Sequence, residues 1–118
     1  MKNKVIRGLV TLFAITLTAK MGIINFNGHK ETWYNLPMNK VIARTDAKLG
    51  VSGLYHVRED GVKMYGDWVI VAADKSVTRY TFVETSLGTG IVLDNHTTGD
   101  PNLYDIATTW GKGGRNGY

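Results

Sequence analysis

Three aspartates hold the residue types and positions most suited to chemistry. Asp74 ends the run DWVIVAAD, Asp94 ends GIVLD, and Asp105 sits inside LYDIATTW. A carboxylate among apolar strand residues is costly to bury unless it is paired. Several strand ends can converge at one end of a small sheet, so three such carboxylates can share a site. A carboxylic acid kept protonated near neutral pH can give its proton to a leaving oxygen and then, as carboxylate, take one back. An apolar wall, here Leu103 and Ile106, or a second carboxylate, here Asp94, raises the pKa of such an acid. Asp105 is therefore the first candidate for a general acid. The competing reading of each aspartate is a strand-end turn residue that bonds neighbouring backbone N–H groups.

Other chemistries find less support. The chain has no cysteine, which removes thiolate nucleophiles, Cys-based zinc sites and disulfides. Ser52, Ser76 and Ser86 lack a nucleophile-elbow context. His96 lies near Asp94, Asp100 and Asp105 in sequence, but the spacing matches no metal motif, so neither a metal nor an organic cofactor is expected. His29 and His56 are isolated. Glu31, Glu59 and Glu84 read as solvated, with Glu84 a reserve acid because it falls on a strand. Trp33, Tyr34, Trp68, Tyr104 and Trp110 can stack on sugar rings or fill a core.

These residues need elements to position them. A helix can start at Pro37; Met38, Val41, Ile42, Thr45 and Leu49 share one face, Lys40, Arg44 and Lys48 another, and Gly50 stops it. Residues 53–66 are turn-rich. Residues 67–74 predict a buried strand, 79–87 a second, 91–93 a short third and 103–110 a last one. Gly88 and Gly90 bracket a turn, and 96–102 form a loop around Gly99 and Pro101. Short strands with glycine turns suggest a mainly β fold, a small barrel.

The chain has 118 residues, room for one domain. Its net charge of +4 arises in the first twenty residues; the remainder carries ten bases and ten acids. A basic folded face for nucleic acid is therefore not expected. Lys2, Lys4 and Arg7 precede an uncharged apolar run over 8–19, which suits an export signal or anchor and is short for a membrane span. The expected organisation is an export segment plus linker over 1–27, a domain over 28–110 and a flexible glycine-rich tail over 111–118. The body then works outside the cytoplasmic membrane, secreted or in the envelope, touching membrane only through its N-terminal segment.

The stretches VAAD (71–74) and LGTGIVLDNHTTGDPNLYDIATTW (87–110), with Thr32-Trp33-Tyr34 ahead of them, resemble the three-aspartate, or 3D, domain family. Asp74, Asp94 and Asp105 take its three positions, and Leu87-Gly88-Thr89 matches its turn. The resemblance implies a six-stranded double-psi β-barrel with one or two short helices. It implies cleavage of the MurNAc–GlcNAc bond of bacterial peptidoglycan without water, leaving 1,6-anhydro-MurNAc ends. Asp105 would be the acid and then the base, with Asp94 and Asp74 as supporting carboxylates. Thr97, Gly99, Tyr34 and Trp110 would contact the glycan. Family members carry Asp-Thr-Gly-Gly-Ala-Ile-Lys-Gly after the middle aspartate. Here the run is Asp94-Asn95-His96-Thr97-Thr98-Gly99-Asp100-Pro101, which lacks the Gly-Gly pair and the lysine. That loop keeps open a catalytically inactive glycan-binding module on the same barrel, and a structural envelope protein is a third class. A small barrel with long connections can also exchange elements between protomers, so a homodimer is compatible with this reading.

Overall fold

Residues 23–110, and the backbone of 114–116, are described in the structure, a computed structural model. The expected export run over 8–19 and most of the expected tail lie outside them. The described residues form a mainly β unit with one helix: β1 (Ile24–Phe26), β2 (His29–Asn35), α1 (Asn39–Leu49), β3 (Tyr55–Val57), β4 (Lys63–Tyr65), β5 (Trp68–Ala73), β6 (Phe82–Thr85), β7 (Gly88–Asn95), β8 (Leu103–Ala107) and β9 (Gly114–Asn116).

Local chemistry explains the elements the sequence reading misplaced. Residues 25–30, which straddle the expected boundary between linker and domain, are a hairpin: Phe26 pairs with His29 around Asn27 and Gly28, both at positive φ (48° and 83°), the backbone of a type I′ turn. Asn-Gly is a direct signal for that turn. The turn-rich stretch 53–66 contains β3 and β4, and β4 turns at Gly66 and Asp67 into β5. Residues 114–116, inside the expected flexible tail, pair antiparallel with β2. Helix α1 falls where its pattern puts it. Met38 at its N-cap makes no side-chain bond, and its first turn holds no acid. Its C-terminus is closed by Gly50 in the left-handed region, whose N–H bonds to Asp46 O. With so weak an N-terminus, α1 depends on packing: Met38, Val41 and Ile42 cover Tyr34, Tyr65, Ile70, Ala72, Leu93 and Ala107 on one face of the sheet.

The sheet is built from two parallel pairs, β2 with β8 and β5 with β7, joined antiparallel through β5 and β8. β6 extends β7, and β4 with β3 extends the first half of β5. No ladder among the described residues joins β6 to β1 or β2, so the sheet is open, and its nine strands exceed the six expected. It nevertheless curls. Glu31 on β2 accepts hydrogen bonds from the backbone N–H of Ser86 (2.9 Å) and from its hydroxyl (2.5 Å) in the β6–β7 turn, near the far end of the strand order. Inside that curl lies the second core, Val62, Met64, Val69, Val71, Ala73, Leu87, Val92 and Ile106. The expectation that Glu31 is solvated is thereby corrected: it has no exposed surface.

Candidate functional site

The two parallel pairs bring Asp94 and Asp105 into one row. Asp105 on β8 is in register with Ala72 on β5 and with Thr32 on β2. On the other edge of β5, Ala72 is opposite Asp94 of β7. The row runs Thr32, Asp105, Ala72, Asp94, and neighbouring strands are roughly 4.8 Å apart, which puts the two aspartate backbones about 10 Å from each other. Ala72 between them has the smallest side chain that still lines the row.

A bulge is what turns Asp94 to this face. Val71 pairs with Val92, but the next pair is Ala72 with Asp94, so Leu93 is the extra residue on β7. In an unbulged strand Asp94 would follow Val92 onto the curled interior; the inserted residue sends it to the α1 side. There its Oδ1 lies 3.6 Å from Arg44 Nη2 of α1 and 3.7 Å from Arg79 Nη2. Arg44 also donates to Leu93 O at 2.6 Å, which ties the helix to the bulge. The Nε atoms of both arginines are buried without a hydrogen-bond partner among the described residues.

Asp105 and Asp94 differ in access. The Asp94 side chain is 38% exposed, so a ligand can touch it. Asp105 has no exposed surface, and its Oδ1 accepts the Thr32 hydroxyl at 2.8 Å. Leu103, two residues away on the same face of β8, is part of its apolar surround, whereas Ile106 points to the opposite face into the curled core. Tyr34, two residues beyond Thr32, is buried on the same face beneath α1.

Asp74, Thr97 and Gly99 come together elsewhere, around a cavity of about 320 Å³ that Lys75, Asn95 and His96 also line. Asp74 Oδ2 accepts from the Ser76 hydroxyl (2.6 Å) and backbone N–H (3.0 Å). Those two bonds, in that order, hold its carboxyl below the usual carboxylate range. His96 fixes the loop's entry: its Nε2–H donates to Leu103 O (2.7 Å) and its Nδ1 accepts from the Thr98 hydroxyl (2.9 Å). Asp100 closes the same loop by accepting from Asn102 N–H and from Lys30. Trp110 lies apart from both clusters, edge-on to Trp33 with its indole N–H on Asp60 O at 2.6 Å.

Sequence reasoning missed Thr32, Arg44 and Arg79 as members of the Asp94–Asp105 face. Thr32 carried a signal, standing at the start of the Thr-Trp-Tyr strand. Arg44 falls with Lys40 and Lys48 on the second helix face, and its role needs the bulge that no residue pattern announces. No family model, curated protein or solved structure matches this chain.

Proposed function

We propose that this protein is a 3D-domain lytic transglycosylase of the bacterial envelope, acting on the MurNAc–GlcNAc bond of peptidoglycan. The observation that carries the reading is the row in which Asp105, held by Thr32, and Asp94 flank Ala72 on one face. In the mechanism, Asp105 as the acid protonates the glycosidic oxygen while that C–O bond breaks through an oxocarbenium-like state. Its carboxylate then takes the proton of the C6 hydroxyl of the same sugar as O6 bonds to C1. The product is a 1,6-anhydro ring, and no water is consumed. One acid serves both steps. Asp94, open to solvent between Arg44 and Arg79, is the group a glycan meets first, and glycan binding must uncover Asp105. Asp74, with Thr97 and Gly99, would hold a more distant part of the glycan from the 320 Å³ cavity they line.

The two parallel pairs joined antiparallel support the finer fold assignment, a double-psi barrel, with the Glu31–Ser86 contact substituting for a closing ladder. The N-terminal charges and apolar run support export. The complete burial of Asp105 favours a second reading, a glycan-binding module that keeps the barrel without turnover.

The test is digestion of sacculi by the full chain and by Asp105→Asn, read by mass spectrometry. Wild type should release anhydro-ended fragments, and the variant should lose about 10²–10⁴-fold of that rate, the usual worth of a general acid. Equal release by the variant would sink the assignment of Asp105. Sacculus binding with no fragments from wild type would establish the binding module.

A further inference from the structure

A second cavity, of about 570 Å³, opens beside α1 and is lined by Pro37, Met38, Ile42, Asp46, Tyr55 and Lys63 among others. Its volume is that of a small-molecule site. Lys63 is 6% exposed. Its ammonium has three N–H donors; two go to Asn35 Oδ1 (2.8 Å) and Leu36 O (2.9 Å). Both acceptors are neutral, and among the described residues no carboxylate pairs with Lys63. A buried cation without an anion is costly. In the same cavity, Asp46 accepts the Tyr65 hydroxyl on Oδ1 at 2.6 Å, and its Oδ2 accepts no hydrogen bond from a described residue. Lys63 and Asp46 thus line one cavity with opposite charges and do not pair with each other. Met38, Ile42 and Pro37 supply apolar lining in the same cavity.

We infer that this cavity binds an amino-acid zwitterion, its carboxylate on Lys63 and its ammonium on Asp46, with the aliphatic part against Met38 and Ile42. Resting on the transglycosylase reading, the ligand is the peptide branch carried by the glycan. Burial depresses the Lys63 pKa, a strain that a bound carboxylate would relieve. The cavity lies on the same face as the aspartate row. Asn35, which holds Lys63, is three residues along β2 from Thr32, about 10 Å at the rise of a strand. That is a reach suited to a branch leaving a sugar held over the Thr32–Asp105 end of the row.

The experiment is an NMR titration of the full chain with meso-diaminopimelate, with glutarate as a carboxylate-only probe and cadaverine as an amine-only probe. Diaminopimelate should give saturable shifts at Tyr55 and Ile42, and both one-sign probes should bind at least about 10-fold more weakly, the worth of one charged hydrogen bond. Asp46→Asn, which keeps an acceptor for Tyr65, and Lys63→Met should each lose a similar factor. If Lys63→Met does not fold, Asp46→Asn decides alone. Glutarate binding as tightly as diaminopimelate, an unchanged Asp46→Asn affinity, or no saturable shift would each overturn the inference. Asp105→Asn should bind diaminopimelate like wild type. Binding of the probe by a protein that releases no glycan fragments would leave this inference standing and remove only the lytic activity.

Discussion

Asp60 shows how a single carboxylate is decided by its partners. Burial alone pushes its pKa up, but hydrogen bonds from Arg58 and Val62 N–H, together with the Arg58 charge, outweigh it and hold it below the usual 3.8. The guanidinium grips both oxygens, at 2.9 and 2.8 Å, and also reaches Leu87 O. A carboxyl with a lowered folded pKa contributes stability that is present above its unfolded value and is lost as pH falls through the folded one. Asp60→Asn should therefore be less stable than wild type at pH 7, by about 1 kcal/mol because Arg58 is partly solvated. The gap should close in thermal unfolding as pH falls below 3.8 and through the lowered folded value. A gap constant from pH 7 to pH 2 would show that Asp60 acts through shape and not charge. Asp74 has the same sign through Ser76, a bond the sequence reading anticipated in its turn alternative.

At the scale of elements, β7 matters most, because it carries both the bulge and a close approach to β5 at Gly90. A Cβ on Gly90 would stand 2.7 Å from Val71 Cγ2, 3.1 Å from Thr85 Cγ2 and 3.3 Å from Val69 O. Val71 is fully buried in the curled core and has no room to yield. Gly90→Ala should cost about 1–3 kcal/mol, the usual range for overpacking, measured by urea denaturation; an unchanged midpoint would mean that β6 moves away freely. The sequence reading used Gly90 as a turn marker. Its actual role is to let β5 and β7 lie close, and β7 is longer than the expected 91–93 because Gly88 and Thr89 already pair with β6.

Across the whole molecule, the curl of the sheet rests on a polar contact near its two ends. Glu31 Oε1 accepts the Ser86 hydroxyl, and Oε2 accepts the Ser86 N–H and lies 2.8 Å from His29 Nε2. His29 itself packs against Tyr104, the ring centroids 4.2 Å apart and the planes tilted by 45°. Replacing the carboxylate by an amide sets an NH₂ against donors. Glu31→Gln should destabilise the fold by about 1–3 kcal/mol, the cost of an unsatisfied buried group, and should raise hydrogen exchange first in the β6–β7 turn. Unchanged exchange at Ser86 would show that the apolar core alone holds the curl.

Helix α1, β5 and β8 were legible in the sequence because each buries a face whose period is written in neighbouring residues. The Asn27-Gly28 hairpin was equally legible and was passed over. The three aspartates could be picked out as carboxylates in apolar runs, but their grouping could not. Asp94 and Asp105 share a face only because an extra residue at Leu93 reverses the alternation of β7, and because β5 pairs with β7 on one edge and β8 on the other. Asp74 joins Thr97 and Gly99 instead, since its own turn draws its carboxylate to Ser76. Glu31 reads as solvated in the sequence, and no local pattern sets Lys63 or Asp46 apart; only long-range packing makes them buried or cavity-lining. Local periodicity records which way a side chain faces along its own strand; which strands meet, and in what register, is settled by contacts between residues far apart in the chain.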